Sequence, residues 1–152
     1  MKLRVLWVGK SKDEWVREAL ADYAGRIRRY CPLKMCEVRD EKGAEAEVMR
    51  RRECERLEKQ IPAGATLVLL DERGRQMDSP ELAAFIGAQR DAGAGELVFA
   101  VGGAYGFSEG FRSRGRLLSL SRMTFTHQMV RVFLLEQIYR AFSILNNEPY
   151  HH

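Results

Sequence analysis

Long hydrophobic runs are missing from this sequence: nowhere do apolar residues continue for the ~18 positions that a membrane span needs. The opening stretch, MKLRVLWVGKSK, holds too short an apolar run and no small-residue cleavage site, so no secretory leader is expected. Cysteine is scarce. Cys31, Cys36 and Cys54 are odd in number and form no CxxC, which excludes a disulfide framework and reads as reduced thiols of a cytoplasmic protein. The three histidines, His127, His151 and His152, show neither HxxxH nor HExxH spacing, so no metal is expected. A P-loop and a GxGxxG fingerprint are also missing. No linker-like tract or internal repeat divides the chain.

What is present suits one globular domain over residues 1–152. The chain is 45% hydrophobic and 30% charged, and at this size a core needs no disulfide to hold it. Net charge is only +4, but it is unevenly placed. Residues 1–110 carry 19 basic and 19 acidic side chains, whereas residues 111–152 carry six arginines against Glu136 and Glu148. Arginine's planar fork suits phosphate or carboxylate, so this end, with Arg112, Arg114 and Arg116, reads either as a solvated cationic surface or as a face for an anionic partner.

Strand-like and helix-like segments alternate. Residues 2–9, 33–38, 65–71, 97–103 and 116–121 read as strands, apolar with little alternation. Trp15, Ala19, Tyr23 and Ile27 make one stripe of a helix over 12–29. The mixed charges of 44–60 predict a mostly solvated helix. Glu72-Arg73-Gly74 reads as a turn, and Ser79-Pro80-Glu81 as a helix start with Ser79 as cap. The last helix, 127–145, is apolar around most of its circumference, which predicts burial on several sides or an interface, preferentially that of a symmetric dimer. The pattern predicts an α/β fold: an open, mainly parallel sheet flanked by helices.

In such sheets ligands bind beyond the carboxyl ends of the strands. Three segments end there: LVLLDERG (67–74), LVFAVGGAYG (97–106) and LLSLSRMTFTH (117–127). Gly102, Gly103 and Gly106 let a backbone approach a ligand closely. Asp71 and Glu72 are paired carboxylates able to do acid–base work or to hold neighbouring arginines. His127 adjoins the same edge. On the final helix Glu136, Arg140 and Ser143 form a polar strip that must be satisfied by a pocket or a dimer contact.

From MKLRVLWVGK through LDERG, VGGAYG and LSLSRMTFTHQMVRVFLLEQIYRAFSILNNEPYHH, the whole chain resembles the small SPOUT-class methyltransferases that act on a pseudouridine in large-subunit ribosomal RNA. The resemblance implies a C-terminal trefoil knot, S-adenosylmethionine as methyl donor and a homodimer. It also implies N3-methylation of a pseudouridine in 23S ribosomal RNA, with the assembled ribosome as partner. It places cofactor contacts on Leu70, Gly102, Gly103, Leu120, Ser121, Arg122, Met123, Thr124 and Phe125. For handling the N3 proton the candidates are His127, Arg131, Glu136, Arg140, Tyr150 and His151, with the tail completing the partner subunit's site. Two rival readings stand beside this one. A non-catalytic RNA- or ribosome-binding module would leave the glycine loop structural, and a metal-dependent nucleotide hydrolase or phosphotransferase would use Asp71 and Glu72.

Overall fold

Apolar strands without alternation need cover on both faces, and they have it. In a computed structural model, which describes residues 1–152, the strands are β1 (Lys2–Val8), β2 (Leu33–Val38), β3 (Thr66–Gln76), β4 (Glu96–Val101) and β5 (Arg116–Ser119). They form one sheet in the order β2-β1-β4-β3-β5, and every pairing is parallel. Helices α1 (Glu14–Ile27), α3 (Ser79–Asp91) and α5 (His127–Leu145) cover one face. Helix α2 (Ala46–Glu58) and the short α4 (Glu109–Arg112) cover the other.

Strand alternation divides the core between these layers. Leu3, Val5 and Trp7 of β1, with Leu97, Phe99 and Val101 of β4, pack under α1, α3 and α5. Leu6, Val8, Val98 and Ala100 face α2 and α4 instead, against Cys54, Leu57, Phe107 and Phe111. Phe99, fully buried at the centre, contributes on the order of 1.5–3 kcal/mol. No helix is long and apolar enough to cross a membrane.

Four local expectations are corrected. Residues 72–74 are not a turn: β3 runs on to Gln76, with a register shift against β5 between Leu70 and Arg75. Gly74 makes this possible, because a Cβ there would lie 2.6 Å from the Leu117 carbonyl carbon. The cap of α3 is Asp78, not Ser79. Asp78 accepts from the Glu81 N–H while Glu81 accepts from the Asp78 N–H, a full capping box, and Ser79 Oγ donates to Gln137. Helix α2 is not simply solvated, since Met49, Glu53, Cys54 and Leu57 are buried.

The fourth concerns α5. Its apolar circumference is explained first by its seat between α1 and α3, where Leu134, Leu135, Ile138, Ala141 and Phe142 are buried. An exposed strip remains around Phe133, 37% exposed. After α5, Asn147 takes a left-handed conformation (φ 55°), and the Glu148 N–H reaches back to the Ser143 carbonyl. The tail is thereby turned against the helix.

Candidate functional site

Strands β4, β3 and β5 are neighbours, so the loops leaving the carboxyl ends of β4 and β5 meet the outer part of β3 at one edge. Between them lies a cavity of about 320 Å³, within the range of small-molecule sites. Leu70, Asp71 and Glu72 line it from β3, and Gly102 to Phe107 from β4. Leu120, Ser121 and Met123 to Phe125 close the third side, with His127 and Val130 at the start of α5.

The glycine loop is folded tightly on itself. The Gly106 N–H donates to the Gly103 carbonyl at 3.0 Å, and Gly106 has a φ of 77°, a region side chains disfavour. A Cβ on Gly102 would stand 3.1 Å from the Gly106 carbonyl carbon. Gly102, Gly103 and Gly106 thus present backbone without side chains, while Ala104, Tyr105 and Phe107 of the same loop also line the cavity. Apolar Leu70, Leu120 and Met123 stand on the other walls. Backbone polar groups beside apolar walls fit the edge and faces of a heterocyclic base.

The two carboxylates fasten the loops. Asp71 Oδ2 lies 3.0 Å from Arg112 Nε, and its Oδ1 accepts the Arg73 N–H at 2.9 Å. Glu72 Oε2 accepts the Thr124 hydroxyl at 2.7 Å, tying β3 to the loop after β5. That loop is braced internally: Ser119 Oγ donates to the Ser121 carbonyl, and the Met123 N–H to Ser121 Oγ. No three His, Cys, Asp or Glu side chains come together in a metal-binding group.

Of the nine positions expected to hold a cofactor, eight line the cavity: Leu70, Gly102, Gly103, Leu120, Ser121, Met123, Thr124 and Phe125. Arg122 is exposed and does not. The six expected for proton handling divide into three groups. His127 lines the cavity, and burial, helped by nearby Arg131 and Lys12, holds its pKa below the usual imidazole value.

Arg131 is not in the cavity. It is fully buried beneath the end of β1, donating to the carbonyls of Val8 (2.6 Å) and Gly9 (2.9 Å) and to Ser11 Oγ (3.0 Å). Its guanidinium lies 5.2 Å from the centre of the Trp7 ring, and burial pulls its pKa down to about 10.

Glu136, Arg140, Tyr150 and His151 form a separate cluster on the second half of α5, outside the cavity of their own chain. Glu136 Oε1 accepts from Arg140 NH2 (2.6 Å) and from the Tyr150 hydroxyl (2.9 Å). Arg140 NH1 lies 3.1 Å from His151 Nδ1, and its guanidinium stacks 4.8 Å from the Tyr150 ring centre. Burial first, and then hydrogen bonding with Tyr23 and Glu136, raises the Tyr150 phenol well above its usual value.

The arginine triplet is less free than its sequence suggests. Arg112 pairs with Asp71 and Glu109, Arg114 with Glu58, and Arg116 lies over the Phe85 ring. Sequence reasoning passed over Glu53, which sits in a charge-rich segment where nothing marks one acid as the buried one. Tyr105 and Val130 on the cavity wall were also passed over, although Tyr105 stands inside the VGGAYG loop.

A family model described as "Predicted SPOUT methyltransferase" matches residues 1–151. The chain is 79% identical, over the full length of both, to a Pelobacter propionicus protein named "Ribosomal RNA large subunit methyltransferase H". A protein of the same name from Geobacter metallireducens is 67% identical, over all of this chain and 99% of the relative. Another, from Geobacter sulfurreducens, is 66% identical over the full length of both.

Proposed function

The chain belongs to the SPOUT methyltransferase family, and on that premise we propose that it transfers the methyl group of S-adenosylmethionine to N3 of a pseudouridine in 23S ribosomal RNA. The substrate is the assembled ribosome, and the protein acts in the cytoplasm as a homodimer of single domains spanning 1–152. Its fold is the family's, an α/β parallel sheet with a C-terminal trefoil knot. The observation that carries the reading is the meeting of the Leu70–Glu72 stretch of β3 with the loops after β4 and β5 around one cavity, on one wall of which Gly102, Gly103 and Gly106 leave backbone free of side chains.

That wall fits the cofactor, because a Cβ at Gly102 would crowd the opposing Gly106 backbone and a ligand's polar edge needs backbone groups there. Leu70, Gly102, Gly103 and the 120–125 segment would hold the adenosine part. Bound there, the cofactor supplies an electrophilic methyl carbon on a sulfonium. The chain's own task is to bring the acceptor nitrogen into line with it and to take up the N3 proton. His127 is suited to this task, since it faces the cavity and its lowered pKa leaves it neutral at pH 7, with a nitrogen free to accept.

Support for the dimer comes from an exposed apolar hollow lined by Met77, Leu82, Leu120, Phe125 and Phe133, which shares residues with the cofactor cavity. Gln137 lines the same hollow and donates to Glu136. A partner seated there would stand beside the Glu136–Arg140–Tyr150–His151 cluster, which can then serve the other subunit's cavity. Lys10, Lys12 and Arg122 enter no ion pair. They rim the same sheet edge, where they can meet RNA phosphates. So few cations predict a shallow salt dependence and recognition by ribosome shape.

The test is incubation with methyl-labelled S-adenosylmethionine and either ribosomes or naked ribosomal RNA lacking the modification, followed by nucleoside mapping. Label at pseudouridine N3 on ribosomes is the expected result. Absence of cofactor binding would overturn the reading and leave an RNA-binding module.

A further inference from the structure

The cavity's glycine wall rests on the opposite face of the sheet from α5, and what it rests on is a carboxyl group. Glu53 of α2 is only 5% exposed. Its Oε2 accepts the Glu41 backbone N–H at 3.0 Å, while its Oε1 is buried with no hydrogen-bond partner. That free oxygen abuts the glycine loop: a methyl group on Gly103 would lie 2.9 Å from it and 3.3 Å from the carboxyl carbon. The next residue touches the loop's other end, Cys54 Sγ accepting the Ser108 N–H at 3.4 Å. Two consecutive residues of α2 therefore underlie the segment from Gly103 to Ser108.

A buried carboxyl with one idle oxygen is a cost that packing alone does not explain. Burial pushes its pKa up, a rise that the Glu41 N–H only partly offsets. The neighbouring cation gives no direct pairing, since Arg56 is engaged by Glu41 and by the Arg39 carbonyl. The feature that Oε1 does meet is Gly103, which lines the cavity on its other side.

Resting on the methyltransferase reading above, we propose that Glu53 is a positioning residue for the cofactor, bracing the Gly102–Gly106 loop from beneath through its contact with Gly103 and offering Oε1 to the loop's backbone N–H groups as the cavity fills. Glu53 touches neither cofactor nor RNA. It sets the shape of the wall that does.

The experiment measures calorimetric Kd for S-adenosylmethionine, with thermal midpoint, for the wild type, Glu53→Ala, Glu53→Gln, Gly103→Ala and the double variant Glu53→Ala/Gly103→Ala. Hydrogen exchange of residues 102–108 is followed in the cofactor-free protein. Glu53→Ala should weaken cofactor binding about tenfold, the scale of coupling between residues that touch one another as Glu53 and Gly103 do, and raise KM for the cofactor more than it lowers kcat. It should also speed exchange within 102–108. Glu53→Gln keeps the shape and an acceptor for the Glu41 N–H, and should restore most of the affinity.

Gly103→Ala should bind poorly because its methyl meets the carboxyl, and removing Glu53 in that background should cost less than in the wild type, or improve binding. Additive effects in the double variant would overturn the proposal. So would a folded Glu53→Ala with unchanged Kd and unchanged loop exchange beside a wild type that binds. A wild type that binds no cofactor would instead overturn the methyltransferase reading.

Discussion

Replacing Arg131 by Met separates a structural arginine from a catalytic one. Its guanidinium makes three hydrogen bonds, at 2.6, 2.9 and 3.0 Å, to two backbone carbonyls and a hydroxyl at the end of β1. Bonds to a charged group contribute about 1.5–3 kcal/mol each, and their loss leaves buried carbonyls unpaired. Methionine keeps much of the apolar contact with Trp7, and removing the cation relieves the burial that holds its pKa near 10. Part of the loss is therefore returned, leaving a net destabilisation of roughly 3–5 kcal/mol. For a chain of this size that corresponds to a fall of roughly 5–20 °C in thermal midpoint. Circular dichroism during heating would measure it, alongside cofactor Kd and single-turnover methyl transfer on ribosomes. An unchanged midpoint would refute the argument. An unchanged midpoint with methyl transfer abolished would place Arg131 in the chemistry.

Gly74→Ala should destabilise the β3–β5 pairing by about 1–3 kcal/mol, seen as a lower thermal midpoint, because its methyl meets backbone that cannot rotate away. His127 has its folded pKa below its unfolded value of about 6.5. Protonation therefore favours the unfolded chain: its contribution is complete above that value and is lost as pH falls through the folded pKa. The thermal midpoint of the wild type should accordingly drop more between pH 7 and pH 5 than that of His127→Gln, and parallel curves would count against the assignment. Tyr150→Phe removes the hydroxyl that Glu136 accepts. If the tail cluster serves the reaction, methyl transfer should fall about tenfold or more while cofactor Kd stays within twofold. Reversing Lys10 and Lys12 to Glu should weaken binding to ribosomes and flatten its dependence on salt, as measured by sedimentation at two ionic strengths.

Much was legible because it rests on local chemistry. Continuous apolar strands separated by helix-period stripes specify a covered parallel sheet. Such a sheet presents its ligand edge at the strand ends, so the segments after Leu70, Val101 and Ser119 could be placed at a common edge from the sequence, although the first of them continues as strand. Non-local contacts were not legible. Whether Glu72-Arg73-Gly74 turns or continues depends on how closely β5 approaches Gly74. Whether Arg112 and Arg114 are free depends on Asp71 and Glu58 coming near from distant segments.

Residue type and spacing determined the layers, the glycine-walled edge and the length of the last helix, since each follows from side-chain period and backbone freedom within a few residues. Tertiary structure alone decided which polar groups lose water. Arg131 and Glu53 look like ordinary charges of amphipathic helices, yet the seat of α5 between α1 and α3 sends Arg131 beneath β1, and the close approach of α2 to the β4 loop buries Glu53 under Gly103. The same packing turned the tail onto Glu136 and away from its own cavity. Desolvation and the pairing it demands depend on neighbours from every layer, and no stretch of sequence contains them all.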